Sequence, residues 1–129
     1  MITQYRVLVC GGRNYDDKDH VFETLDSLKD TIDVPLHIIS GAAKGADSLA
    51  SEWARLNHVD LTEFPADWSS HGKSAGPIRN QQMLGEGKPD LVVAFPGGRG
   101  TQHMVNIARK AGVSIIQATK SDMEILWKD

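Results

Sequence analysis

Apolar residues fall along this chain in two alternating rhythms. Short apolar or alternating runs at Arg6–Cys10, Leu36–Ser40, Asp60–Phe64, Leu91–Phe95 and Val113–Gln117 have the length and composition of strands. Between the first two, Val21, Leu25, Leu28 and Ile32 recur at helical spacing, with Asp16 or Asp17 placed to cap the start. Ala46, Leu49, Ala50, Trp53 and Ala54 mark a second helical face. A third helix is expected over Pro77–Glu86, because a proline suits a first turn. Met104, Val105, Ala108 and Ala111 outline a fourth, and Ser121-Asp122-Met123-Glu124 reads as the capping box of a fifth. The stretch Ala66–Gly76, with two glycines, several serines and Trp68, reads as a long functional loop.

Strand and helix therefore alternate, and the strands are apolar enough to be buried on both faces. That combination predicts an α/β fold: a Rossmann-like, doubly wound parallel sheet of five strands with helices on both faces. Right-handed crossovers put every strand-to-helix loop at one sheet edge. The common order 3-2-1-4-5 would set the loops after strands one and four side by side, at the switch point where ligands bind. Those loops are Gly11-Gly12-Arg13-Asn14-Tyr15-Asp16 and Pro96-Gly97-Gly98-Arg99-Gly100-Thr101, the two most glycine-rich turns of the chain. The second follows a buried strand and precedes an amphipathic helix. Glycines there admit a close backbone approach, and the free N–H groups of the helix's first turn attract an anion.

Length and charge narrow the reading. With 129 residues the chain is expected to form a single domain, residues 1–129. Its formal charge of −3 disfavours a broad nucleic-acid footprint. Yet Arg13, Lys44, Lys73, Arg79 and Arg99 fall in, or just after, loops of the ligand edge, which suits a compact anion. The single cysteine, Cys10, lies in a strand pattern and reads as a core residue. No apolar run has transmembrane length and the first residues lack a signal-peptide plan, so a cytoplasmic location without membrane contact is expected. The five histidines are scattered, so neither a metal nor another cofactor is expected. Gly11-Gly12 does not make the dinucleotide fingerprint, and Ser40 stands where strand two would need an acid for a ribose.

Four segments together carry a resemblance: Gly11-Gly12-Arg13; Ser40-Gly41-Ala42-Ala43-Lys44-Gly45-Ala46-Asp47; Gly76-Pro77-Ile78-Arg79-Asn80-Gln81-Gln82-Met83; and Pro96–Thr101. Their order resembles the SLOG superfamily, above all its YspA-like branch, a small domain common in bacteria and phages. The likeness runs from about Arg6 to Gln117. It implies a Rossmann-like domain that binds a nucleotide, or a nucleotide-derived ligand such as a nucleotide sugar or an ADP-ribose-like molecule. Taken with the glycine turns and cations of the ligand edge, the expected contacts are Gly11, Gly12, Arg13, Gly41, Lys44, Gly45, Arg79, Asn80, Gly97, Gly98, Arg99, Gly100 and Thr101, with Asp47 and Asn80 at the ribose or base.

Two relatives of that branch suggest different functions. The Pro-Gly-Gly-x-Gly-Thr motif is similar to that of lysine-decarboxylase-like phosphoribohydrolases, which release a base from a nucleoside 5′-monophosphate. Their downstream glutamate is absent here, where Gln102-His103-Met104 follows Thr101. An enzyme of that kind would have to use Asp47 or His103 as its catalytic group. The simpler readings are a first-turn dipole partner for Asp47 and a polar contact for His103. The Ser40–Asp47 segment and the Arg79-Asn80 pair resemble the DNA-processing protein A family, a single-strand binder. Such proteins need a basic track and aromatic platforms, whereas this chain is acidic and 6% aromatic. Trp68 and Tyr15 could stack on one base; Trp53 and Trp127 read as core or interface residues, and Trp127 could serve a homo-oligomer. The leading expectation is a sensor or sequestering protein for a small nucleotide-type ligand, ahead of an N-glycosidase and of a DNA-binding accessory protein.

Overall fold

The computed structural model describes residues 3–118. The expected helix from Ser121 and the side chain of Trp127 lie outside the described residues. Five parallel strands, β1 (Tyr5–Cys10), β2 (Leu36–Ser40), β3 (Asp60–Glu63), β4 (Leu91–Ala94) and β5 (Ser114–Gln117), form one sheet in the order β3-β2-β1-β4-β5. Fold and strand order match the sequence expectation. The helices are α1 (Lys18–Thr31), α2 (Ala46–Leu56), α3 (Trp68–His71), α4 (Ala75–Gly87) and α5 (Arg99–Lys110).

Strand alternation divides the core into two layers. Val7 and Val9, Ile38, and Leu91 and Val93 point to one face, where Val21, Leu25 and Leu28 of α1 and Ala50, Trp53 and Ala54 of α2 cover them. Leu8 and Cys10, Ile39, and Val92 and Ala94 point to the other, under Met83 of α4 and Met104, Val105 and Ala108 of α5. Asp17, not Asp16, caps α1 by accepting from the His20 amide at 3.1 Å. Ala111 ends α5 exposed, and Ile107 packs against the core in its place.

The stretch read as a long loop is shorter and more ordered than expected. Asp67 caps α3 by accepting from the Ser70 amide and the Ser69 hydroxyl, at 3.1 and 2.9 Å. A 3-10 turn, Gly72–Ser74, then leads into α4. That helix starts two residues ahead of Pro77, since a first-turn proline gives up an N–H that no helical carbonyl would have received.

Candidate functional site

Strand order reverses between β1 and β4, and the loops beyond their C-terminal ends meet there. Gly12 joins three segments: its N–H donates to Pro96 O at 2.8 Å, and its carbonyl accepts from Tyr15 N and Ala46 N, both at 3.2 Å. Gly45, the N-cap of α2, has a φ of +79° and lies so close to the Gly12 carbonyl that a side chain would overlap it. Gly97 likewise packs onto Thr101 and the Gly12 amide. These glycines hold loop against loop. Gly98 and Gly100 differ: a Cβ on either would meet no heavy atom within 4 Å.

Beside this junction lies a cavity of about 550 Å³ on the α4–α5 side. Arg13, Lys73, Arg79 and Arg99 line it, against the single carboxylate of Asp47. Among the described residues no ion pair includes any of these four cations. At the cavity floor no side chain caps α5, and Gln102 N is the first amide to bond back, to Gly98 O at 3.0 Å. The N–H groups of Arg99, Gly100 and Thr101 thus have no protein acceptor among the described residues. Positive charge and open amides converge on one space.

Asp47 opens α2 and turns its carboxylate back into the β2–α2 loop, where Oδ2 accepts from Ala43 N at 3.3 Å. Only 6% of the residue is exposed. Burial pushes its carboxyl from the usual 3.8 up to about 6, despite the opposing pull of Arg79, of the Ala43 and Gly41 amides and of Arg13. The Ser40 hydroxyl supports this loop, donating to Asp47 O at 3.1 Å and accepting from Ala42 N at 3.2 Å. Cys10 also reaches the cavity wall, and burial with the nearby Asp47 pushes its thiol up to about 12, leaving it protonated and unreactive.

A second constellation joins α4 to α5. Arg79 donates from Nε to Asn80 Oδ1 at 3.1 Å and from Nη1 to Gly41 O. Arginine can only donate, so Asn80 must turn its oxygen to Arg79 and its nitrogen to α5. There Nδ2 reaches Gly100 O at 3.2 Å and His103 Nδ1 at 3.1 Å. His103 Nδ1 is therefore the acceptor, and the ring proton sits on Nε2. Asn80, 5% exposed, has its amide committed to these three groups and fixes the orientation of Arg79 and His103. Burial lowers the proton affinity of Arg79, and Asp47 opposes that effect.

Of the residues singled out from the sequence, Gly11, Gly12, Arg13, Asp47, Arg79 and Asn80 line the cavity, as do Gly98, Arg99, Gly100, Thr101 and His103. Gly41, Lys44, Gly45 and Gly97 do not: Gly41 lies behind Arg79, Gly45 and Gly97 pack the loops, and Lys44 is exposed beyond the wall. Tyr15 is also elsewhere. Its ring packs on Phe95 at 5.6 Å between centres and its hydroxyl bonds His20 Nδ1 at 2.8 Å, in the opposite layer. Trp68 does line the cavity, 47% exposed, with the Arg13 guanidinium 4.8 Å above its ring centre. Cys10 and Met83 in the wall were missed; strand parity carried a signal for Cys10, the last residue of β1 on the Leu8 side. Among the described residues no cluster of His, Cys, Asp and Glu is placed to hold a metal ion, and no helix is long and apolar enough to cross a membrane.

Comparison with known proteins agrees with this architecture. The family described as "YspA, cpYpsA-related SLOG family" matches residues 5–71, which carry β1 through α3 with the Gly11–Arg13 and Ser40–Asp47 loops. The chain is also similar to the "Gene 61 protein" of Mycobacterium phage D29, 38% identical over 118 residues, covering 86% of this chain and 94% of that one. A family match over the first half of the chain, and a relative that spans most of it, carry one conclusion: the chain belongs to the YspA, cpYpsA-related SLOG family.

Proposed function

We propose that the chain is a single nucleotide-binding domain that holds a nucleotide, or a nucleotide-derived molecule such as a nucleotide sugar, in the cytoplasm without turning it over. One observation carries this reading. In a chain of formal charge −3, four cations that form no ion pair among the described residues line one cavity together with three open amides of a helix start. A phosphate group satisfies both sets at once. Gly98, Gly100 and Thr101 would receive it, Arg79, Arg99, Arg13 and Lys73 would neutralise it, and Asp47 would face the ribose or base. Family membership supports a nucleotide-related ligand.

The test is native mass spectrometry with a panel of nucleoside monophosphates, NAD, ADP-ribose and cyclic nucleotides, with base release followed in the same samples. A complex with intact ligand is expected. Gly98→Val and Gly100→Val should abolish it while circular dichroism stays unchanged, because a Cβ meets nothing at either position. Undiminished affinity in both variants would remove the turn from the site.

A second reading, N-glycosidic hydrolysis, is favoured by one feature: a buried carboxyl near pH 6 and an imidazole share the cavity wall. Free base appearing with wild-type protein, and lost in Asp47→Ala, would replace the binding reading with this one.

A further inference from the structure

The cavity has an anion-binding floor, but only one of its walls is aromatic. Among the described residues Trp68 is the one large aromatic side chain that lines it, and it stands on the short helix α3. Its ring is half-exposed and makes no hydrogen bond among the described residues. The Arg13 guanidinium covers it at 4.8 Å from the ring centre. Behind it, Gly76 at the start of α4 packs at the far edge of the indole, where a Cβ would stand 3.4 Å from the ring, in ordinary contact. Thus a flat π-face stands in the same cavity as the cations and open amides, covered by the Arg13 guanidinium.

Resting on the phosphate-site reading above, we propose that Trp68 is the platform for the ligand's base. The base takes the ring face that Arg13 now covers, and the freed guanidinium turns to the phosphate. The exchange is favourable on magnitudes. An exposed cation–π contact is worth about 2- to 5-fold in affinity, whereas a base stacked on an aromatic side chain is worth about 5- to 150-fold. Arg13 also exchanges a quadrupole for a full negative charge, a stronger partner. Stacking tolerates any base, so the platform selects nucleotides over sugar phosphates and favours the larger π-surface of purines over pyrimidines. The ligand class is therefore a phosphate carrying a planar heteroaromatic base, not a sugar phosphate alone.

The test compares ribose 5-phosphate with AMP and CMP by isothermal titration. Wild-type protein should bind AMP at least about 5-fold more tightly than ribose 5-phosphate, with CMP between them. Trp68→Leu keeps an apolar side chain against Gly76 but removes the π-face; it should bring the AMP to ribose 5-phosphate ratio close to one, and Trp68→Phe should restore part of it. A ratio unchanged in Trp68→Leu, or a wild-type ratio near one, overturns the platform while leaving the anion site standing. Failure of wild-type protein to bind any of the three ligands overturns the anion site, and the platform with it.

Discussion

The two helical layers treat charge in opposite ways. In the α1–α2 layer polar groups find partners within the chain. Lys18 pairs with Glu52 at 2.7 Å, Arg55 with Glu63 at 3.1 Å, and the Trp53 indole donates to Asp26 at 2.8 Å. One exception remains there among the described residues, the buried Nε2 of His20, which has no partner. On the α4–α5 side four cations surround a cavity with no ion pair among the described residues, and the carboxyl of Asp47, reaching in from the start of α2, is buried beside them. One sheet serves both layers, with alternate residues of the same strands. The ligand proposed above would supply the partners that the cations and first α5 amides of the switch-point side lack among the described residues.

The sharpest way to break that comparison is to cut into each layer at a buried residue. Trp53 is fully buried and its N–H is satisfied. Trp53→Ala should cost about 3–5 kcal/mol of stability, from lost burial, the remaining cavity and the lost indole donor, measured by urea unfolding. If that variant still folds, its ligand affinity should match wild type, because nothing of Trp53 reaches the cavity. A loss of affinity in folded protein would mean that the two layers are coupled.

Asp47, at the start of α2 but in the cavity wall, tests the cavity with pH. Its carboxyl is raised from 3.8 to about 6 in the folded chain, so the folded state binds the proton more tightly than the unfolded state. The sign follows from linkage. Stability is highest below about pH 4 and falls as pH rises through 6, by about 3 kcal/mol in all, because the buried carboxyl must then ionise. Asp47→Asn cannot ionise and still offers an oxygen to the Ala43 amide. It should be more stable than wild type at pH 7.5 by up to that amount, with the gap closing by pH 4. A gap that stays constant with pH would show that Asp47 is not held near 6.

Arg79→Met tests the proposed phosphate contact more than stability. Its guanidinium touches only neutral acceptors, Gly41 O and Asn80 Oδ1. Arg79→Met should weaken phosphate-bearing ligands about 10- to 100-fold, the worth of a charge-assisted hydrogen bond, and leave their nucleosides almost unaffected. It should also raise the Asp47 carboxyl further, since Arg79 is the strongest influence now pulling it down. An equal loss for nucleotide and nucleoside would mean that Arg79 only props the loop.

Much of this was legible in the sequence because it follows from periodicity. The Val7–Cys10 and Leu91–Ala94 runs announce buried parallel strands, and the strand order then places two glycine turns together. What stayed hidden was which glycines pack and which stay open. Gly97 and Gly98 are neighbours with opposite surroundings, and only the approach of Gly12 and Thr101 separates them. Asn80 was legible as a motif residue, but its bridge to Gly100 and His103 spans contacts 20 and 23 residues apart in sequence. Tyr15 misled for a related reason: in a ligand loop by position, it turns its ring to Phe95 in the opposite layer.

The smallest expected effect concerns backbone strain at the open layer. Ala42, exposed in the β2–α2 loop, has a φ of +59°. Among the described residues two other non-glycine residues share that region, Lys88 capping the end of α4 and His58 just beyond the C-cap of α2, where a left-handed residue commonly stops a helix. Ala42 caps no helix. Its amide bonds Ser40 Oγ and the next amide bonds Asp47, so the left-handed turn is what brings the loop onto the buried carboxylate. An alanine there costs about 1–2 kcal/mol, and glycine's added chain entropy takes back about 0.5–1 kcal/mol. Ala42→Gly should therefore stabilise the fold by about 0–1.5 kcal/mol, with ligand affinity unchanged, and His58→Gly serves as the matched control away from the cavity. If Ala42→Gly instead gains stability and loses affinity while His58→Gly changes only stability, the strain belongs to the site: the rigid turn would be holding Asp47 in place for the ligand.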